Sequence, residues 1–219
     1  VRLAEYGKFT NTGELNIDIQ GTAVQRTAGK CGTGSAICVV GNNGALISTG
    51  GGTIKSTGHA IHMESGTKQS IDLSGVNIST TSTGHAVIEV QNSNNGSSIK
   101  LTNSTATAGD NGNGLLINAG SGSVLDFEAI NTQLYGEIKA DNTSTVNLSL
   151  KNSSYLKGII DPINLNISTD SRWDVTGDSE LDQLLNAGSI NFISSSSNTS
   201  QRLKVNSYSG DGNLGLNTY

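Results

Sequence analysis

The segment Ser56–Ile61 reads STGHAI, and the segment Ser82–Val87 reads STGHAV 26 residues later. In both segments a glycine is followed by a short apolar strand. The same arrangement recurs at intervals of 22 to 30 residues along the chain. It is found at Gly34–Ile37, Gly114–Ile117, Gly136–Ile138 and Gly158–Ile160. A repeat at a fixed period of this size is typical of a solenoid, in which each repeat forms one coil.

Two further series of short strands recur at a similar period. The second series alternates apolar and polar residues, as a strand with one buried face does, at Ile17–Ile19, Ile71–Leu73, Ile99–Leu101, Leu125–Phe127 and Val146–Leu148. The third series lies between members of the second, at Val76–Ile78, Ser104–Ala106, Thr132–Leu134 and Ser153–Leu156. The alignment of the second series predicts one outward column of alternating charge, formed by Asp72, Lys100 and Asp126.

Three short strands in every repeat predict an all-β protein, a right-handed parallel β-helix with three strands per coil. Stacked strands lie about 4.8 Å apart, so about seven coils would give a rod on the order of 35 Å long. The alternative is an antiparallel sandwich or barrel, for which Asn111-Gly112 would be a suitable hairpin turn. Strands that recur in the same order in every repeat favour the β-helix.

The composition also suits a solenoid. Only 34% of the residues are hydrophobic, which is little for a compact core, and only 14% are charged, which is little for a disordered chain. The 28 glycines supply tight corners, whereas Pro162 is the single proline, a residue that cannot donate to a β-ladder. The sequence therefore favours many turns joined by strands that pair throughout.

Charge and hydropathy exclude several classes of protein. The net charge is −5 and no basic run occurs, so we expect no binding to nucleic acid. No segment reaches the roughly 20 apolar residues of a membrane helix. Residues Val1–Thr10 lack the charged and apolar regions of a signal peptide, so any export signal is expected to have been removed.

The two cysteines lie seven residues apart in the segment GKCGTGSAIC. A metal site would need further ligands nearby, and all three histidines come later in the sequence. We therefore predict a disulfide bond between Cys31 and Cys38, which would require passage through an oxidising compartment. The loop that it closes, Gly29 to Gly41, is either a staple for an early coil or a recognition element.

The repeat pattern changes after residue 168, where the only tryptophan, Trp173, is followed by less regular apolar segments. An open solenoid end exposes an unpaired strand edge and part of the apolar core, so it needs a cover. We therefore divide the chain into β-helix coils over residues 1–168 and a carboxyl-terminal cap over residues 169–219.

The cap sequence resembles the conserved carboxyl-terminal part of pertactin-like autotransporter passengers. The resemblance spans roughly 48 residues in order, which makes it more specific than a short motif. Its first half has the spacing Trp-x-Val-x-x-x-Ser-x-Leu followed by Leu-x-x-x-Gly-x-Ile-x-Phe, and its second half consists of spaced Leu, Val, Tyr and Gly residues. The matching positions are Trp173, Val175, Ser179, Leu181, Leu184, Gly188, Ile190, Phe192, Leu203, Val205, Tyr208, Gly210, Gly212, Leu214, Leu216 and Thr218.

This resemblance implies a protein exported through the periplasm and the outer membrane with the help of its own carboxyl-terminal β-barrel. The sequence ends at Tyr219 before any alternating membrane strands, so we expect the barrel to have been removed. The chain would then lie on the bacterial surface or be secreted. The family's cap is thought to fold first and to template the other coils. That role would belong here to Trp173, Leu181, Leu184, Ile190, Phe192 and Tyr208.

The three histidines raise the question of a metal site. His59 and His85 occupy matching positions of two successive repeats, whereas His62 would lie on the opposite face from His59 if the strand were regular. Stacked imidazoles could share an ion or repel each other when protonated. We expect half-exposed histidines at strand corners, with neither a metal nor a cofactor.

The sequence offers little that resembles an active site. β-Helix enzymes that cleave glycans need clustered carboxylates and aromatic platforms, but aromatic residues are only 4% of the chain. The acidic residues Glu64, Asp72, Glu89 and Asp126 are assigned to different strands. We therefore expect no enzyme. The resemblance implies instead a virulence-type passenger, and we expect it to bind host-cell receptors or matrix, as an adhesin or a released effector. A carbohydrate-active enzyme or its remnant, and weak self-association between bacteria, remain open.

Overall fold

The computed structural model describes residues 1–21, 31, 34–82, 84–93, 95–109, 111–193 and 201–216. Within this part of the chain there are 25 strands and no helix. The strands form three sheets, called A, B and C below, and their pairings are parallel. The parallel β-helix predicted from the sequence is thus confirmed, and the antiparallel alternative is wrong.

Each of the three sheets receives strands from successive coils. Sheet A contains β1 (Arg2–Leu3), β4 (Ile37–Val40), β7 (Ile61–Glu64), β10 (Ile88–Gln91), β13 (Leu115–Gly120), β16 (Glu137–Ala140) and β19 (Ile160–Asp161). Sheet B contains β2 (Lys8–Asn11), β5 (Ala45–Ser48), β8 (Ser70–Ser74), β11 (Ser97–Thr102), β14 (Val124–Ile130), β17 (Thr145–Lys151), β20 (Ile163–Ile167), β22 (Ser179–Asn186) and β24 (Leu203–Ser209). Sheet C contains β3 (Ile17–Ile19), β6 (Gly52–Ser56), β9 (Val76–Thr80), β12 (Thr105–Thr107), β15 (Gln133–Tyr135), β18 (Tyr155–Gly158), β21 (Arg172–Val175), β23 (Ser189–Phe192) and β25 (Asn213–Gly215).

The carboxyl-terminal region continues the solenoid with one sheet fewer. From β1 to β21 the chain visits sheets A, B and C in turn, so seven coils have three sides. Sheet A then ends at β19, while β22 to β25 extend only sheets B and C. The change of pattern after residue 168 therefore marks the loss of one side of the coil, and parallel pairing continues beyond it.

Columns of inward apolar side chains form the core. Because successive strand residues point to opposite faces, every second residue faces the interior and stacks on its counterpart in the next coil. Complete burial of one such side chain stabilises the fold by about 1.5–3 kcal/mol. The longest column of sheet B is formed by Phe9, Leu46, Ile71, Ile99, Phe127, Leu148, Leu165, Leu184 and Tyr208.

A column of buried hydroxyl groups supports the corner between sheets B and C. The backbone N–H of Ser104 donates to Thr132 Oγ1 at 3.3 Å, and the N–H of Thr132 donates to Ser154 Oγ at 3.1 Å. Asn103 and Asn131, which precede two of these residues, have positive φ angles of 49° and 47°, a conformation that asparagine tolerates better than most residues. Asparagine followed by serine or threonine is therefore the sequence signal of this corner.

The observed register corrects two details of the sequence alignment. The strand Ile17–Ile19 pairs with β6 in sheet C, and so it does not belong to the second series, whose other members lie in sheet B. The charged column contains Glu128 where Asp126 was expected, because Lys100 pairs with Glu128 and Asp126 pairs with Ser98. The expected alignment was therefore wrong by two residues. Asp126 still points outward, but its neighbour in the preceding coil is Ser98 and not Lys100.

Candidate functional site

A polar patch interrupts the repeat on the outer face of sheet A. Apolar residues of β4, β7, β10 and β13 point inward, so the residues between them point outward. The strand register brings Cys38, His62, Glu89 and Asn118 into one outward column. His62 and Glu89 are each only 8% exposed, which is unusual for polar groups on the outside of a solenoid.

The chain's three histidines come together at this patch. The ring centroid of His59 lies 5.2 Å from that of His62 and 5.0 Å from that of His85, with edge-to-face geometry in both pairs. Glu64 and Glu89 stand beside these rings, since carboxylate oxygens of theirs lie 3.6 Å from His62 Nε2 and 3.8 Å from His59 Nδ1, respectively. These five residues are called the histidine cluster below.

The cluster overturns the expected placement of His62. The sequence predicted that His59 and His62 lie on opposite faces, but His59 precedes β7 and sits in the corner, where the alternation of a strand does not apply. Ile61 also pairs with Ile88, 27 residues later, although the sequence repeat has an offset of 26. The expectation of half-exposed histidines is wrong for His62, which is buried.

The carboxylate of Glu89 is held by two amide side chains. Asn118 Nδ2 donates to both of its oxygens, at 3.0 and 3.1 Å, and Gln91 Nε2 donates to Oε1 at 2.6 Å. Burial raises the pKa of Glu89, the nearby charge of Glu64 raises it further, and the two amides oppose this rise. The charge of Glu64 therefore acts on Glu89, whereas the sequence had suggested scattered acidic residues.

The histidines are held in their neutral forms. His59 Nδ1 donates to the carbonyl oxygen of Ala86 at 3.0 Å, which places the proton on Nδ1 because a carbonyl only accepts. Burial lowers the pKa of His59, and that bond opposes the shift. The pKa of His85 is also lowered, by burial and then by the charge of His59. The pKa of His62 is lowered as well, so burial favours the neutral form of all three imidazoles.

His62 is the most strongly perturbed member. Burial, and then the charge of His59, lower its pKa to about 4. Both ring nitrogens are buried and have no hydrogen-bond partner among the described residues, since the 3.6 Å separation from Glu64 is too long for a hydrogen bond. A buried polar group without a hydrogen-bond partner costs free energy, so His62 destabilises the folded state at the outer face of sheet A.

The predicted disulfide bond is present next to the cluster. It joins Cys31 to Cys38 of β4, with the two Cα atoms 5.9 Å apart. Cys31 Sγ lies 3.9 Å from the carbonyl oxygen of His62, so the bridge rests on the outer face of sheet A. Of the predicted recognition loop Gly29–Gly41, residues 29, 30, 32 and 33 lie outside the described residues.

The cluster does not have the geometry of a metal centre. Among the described residues, no group of three or more His, Cys, Asp or Glu side chains is placed to hold a metal ion. The carboxylate oxygens of Glu89 accept hydrogen bonds from the amide groups of Gln91 and Asn118, and the imidazoles contact one another edge to face. The chemistry that this arrangement supports directly is the gain and loss of protons.

The six predicted cap residues continue the core columns of sheets B and C. Trp173 is fully buried between Leu156 and Ile190 of the neighbouring coils, and its Nε1 donates to the carbonyl oxygen of Gly158 at 3.1 Å. Leu181, Leu184 and Ile190 are buried and Phe192 is partly buried, but Tyr208 is 56% exposed. Tyr208 ends its column, and no further strand covers it in the described chain. The role of these six residues in folding stays a prediction.

The last coil leaves an apolar groove of about 420 Å³ between sheets B and C. Its lining residues are Leu184, Asn186, Ile190, Phe192, Leu203, Val205, Tyr208 and Leu214. The edge strands β24 and β25 border it. Within the described residues, the carboxyl-terminal coils thus extend the core and leave this groove at its end.

Comparisons with known proteins identify no relative. No protein-family model matches the chain, and no curated protein or solved structure is significantly similar to it. A separate search for long apolar helices within the described ranges found none that could cross a membrane. The resemblance of the carboxyl-terminal segment to autotransporter passengers therefore rests on the residues quoted above.

Proposed function

We propose that the chain is the passenger of a bacterial autotransporter, displayed on the bacterial surface or secreted, and that it acts by binding a protein of the host-cell surface or extracellular matrix. Its action would be contact and not catalysis. In the precursor its partner would be its own carboxyl-terminal β-barrel. A disulfide bond is consistent with export, because such bonds persist in oxidising compartments.

The observation that carries the proposal is the bridge on sheet A. A parallel solenoid is a stiff support on which function lies in departures from the repeat. The Cys31–Cys38 bridge and the histidine cluster are such a departure, and they adjoin each other on one face. A cross-linked loop presents a fixed surface, so less conformational entropy is lost when a partner binds. The bridge therefore favours the recognition role of its loop.

The location of the binding surface is tested by removing the bridge. The double substitution Cys31→Ser and Cys38→Ser is expected to weaken saturable binding to intact host cells by about tenfold, since each 1.4 kcal/mol of added ordering cost reduces affinity by that factor. The measurement is a titration of labelled protein on cells. Lys100→Gln, on sheet B, is the matched control and should bind like the parent chain.

Equal binding by the parent and the double-serine variant would remove the bridged loop from the proposed surface. Both chains must first show the same β-sheet circular dichroism, because a short disulfide loop contributes at most about 2–3 kcal/mol and its loss is not expected to unfold the solenoid.

Incubation with a panel of glycans provides the test of the competing class, a carbohydrate-active enzyme. Release of new reducing or unsaturated ends would contradict the binding role and indicate a carbohydrate-active enzyme.

A further inference from the structure

The histidine cluster contains more basic groups than carboxylates available to balance them. It has three imidazoles and two carboxylates, and the carboxylate of Glu89 already accepts hydrogen bonds from Gln91 and Asn118. The strands packed on either side add positive charge, because Arg2 of β1 pairs with Cys38 and Lys139 of β16 pairs with Asn118. Acidic groups in that direction are Glu137, on the same outward face of β16 as Lys139, and Asp161 of β19, which pairs with Lys139.

We propose that the histidine cluster is an acid-sensitive latch, in which neutral imidazoles pack together on the outer face of sheet A and separate when they are protonated. The latch joins β7, β10 and the corners that precede them, beside the Cys31–Cys38 bridge. Mild acid thus loosens this outer layer. The device belongs to the chain itself and does not require a binding partner.

Contact between the rings is the first reason. Imidazolium rings with centroids 5.0 and 5.2 Å apart repel each other, and burial weakens the screening by water that would reduce this repulsion. His62 is the least able to accept charge, because within the described part of the chain no hydrogen bond satisfies either of its ring nitrogens. A protonated His62 gains solvation only when it leaves its buried position.

The direction of the pH effect follows from the perturbed groups. A histidine whose pKa is lowered by folding stabilises the closed state fully above its unfolded pKa of 6.5, and this stability is lost as the pH falls towards the lowered value, about 4 for His62. Glu89 acts in the opposite sense, because its raised pKa means that acid relieves a cost of folding. Three imidazoles act against this one carboxyl group, so we expect opening to be the net effect of acid.

The core limits opening to the outer layer. On the other side of the same strands, Ile61, Met63, Ile88 and Val90 are fully buried. These side chains carry no titratable group. In addition, β7 pairs with β4 and β10 pairs with β13, so both strands stay held in sheet A. The expected change is therefore local exposure around the two corners and not the unfolding of the solenoid.

Hydrogen–deuterium exchange of the full chain at pH 7.5 and pH 5.5 tests the latch, after correction for the intrinsic rates. Release of His62 from a pKa of about 4 to 6.5 should increase the open population about tenfold at pH 5.5. We expect at least this loss of protection in peptides that cover residues 56–64 and 84–91. Peptides covering β14 and β17 in sheet B are the internal control and should not change.

Two variants separate the latch from general acid sensitivity. His62→Gln alone should remove most of the pH dependence, and the triple variant with His59→Gln and His85→Gln should remove the remainder. Protection of the sheet B peptides at pH 7.5 shows whether each variant is folded. If the triple variant is not folded, the comparison of the parent chain with His62→Gln provides the test. An unchanged exchange pattern in the parent chain at pH 5.5, or the same loss of protection in His62→Gln, would overturn the proposal.

Discussion

Replacement of Trp173 by alanine is expected to lower the free energy of unfolding by about 3–5 kcal/mol, the cost of removing a large aromatic side chain from a core. Trp173 is fully buried, stacks between Leu156 and Ile190, and donates a hydrogen bond to the carbonyl oxygen of Gly158. Alanine would leave a cavity and remove one hydrogen bond to this carbonyl group, which also accepts from the backbone N–H of Thr176 at 3.4 Å. The measurement is equilibrium unfolding in urea, followed by circular dichroism.

The extent of the damage distinguishes a folding cap from an ordinary core residue. If the carboxyl-terminal coils template the others, Trp173→Ala should reduce exchange protection and refolding yield along the whole solenoid, including β4 and β7. Leu185→Ala, on β22, the next strand along the chain, is the control, because Leu185 is 45% exposed and its replacement should change stability by less than about 1 kcal/mol. A loss of protection confined to β18, β21 and β23 would contradict the templating role.

Replacement of Asp174 by alanine is expected to cost about 2–3 kcal/mol, because the substitution leaves two partly buried donors without their acceptor. Asp174 is fully buried and accepts hydrogen bonds from Tyr155 Oη at 2.6 Å and from Asn191 Nδ2 at 3.2 Å. Its ion pair with Arg172 contributes less, since the arginine side chain is 50% exposed. Urea unfolding gives the change in stability.

The same substitution has a second readout. Burial, and then the hydrogen bond to Asp174, raise the pKa of Tyr155 to about 12. Asp174→Ala should therefore lower this pKa towards its ordinary value of 10, which ultraviolet absorbance measures during an alkaline titration. Asp174→Asn, which keeps an acceptor oxygen but not the charge, should have an intermediate effect. A tyrosine titration identical in all three chains would show that Asp174 does not govern Tyr155.

Periodicity allowed most of the fold to be predicted from the sequence. Gly136–Ile138 and Gly158–Ile160 were assigned to one series, and the structure places both in sheet A. Errors arose where the corners vary in length. The offset of 26 between the two STGHA segments does not set the strand pairing of Ile61 with Ile88, because a one-residue difference is absorbed in the corner. Matching residues outside strands is thus a poor guide to register.

The candidate site was only partly predictable for the same reason. The repeat indicated that His59 and His85 lie close together, and their rings are in contact. His62 and Glu89 could not be placed together from the repeat, since their pairing depends on the register of β7 and β10. The burial of His62 was also missed, because alternation assigns an outward residue to solvent. The Cys31–Cys38 spacing, in contrast, required no register and predicted the bridge correctly.

Binding of the purified chain to intact host cells, followed by cross-linking and mass spectrometry of the captured material, tests the central claim most directly. We predict saturable binding and a single enriched host protein of the cell surface or extracellular matrix. The result should be the same at protein concentrations at which sedimentation shows only monomers, which separates host binding from self-association. The absence of saturable binding, or capture of the chain itself alone, would contradict the claim that this solenoid acts by binding a host protein.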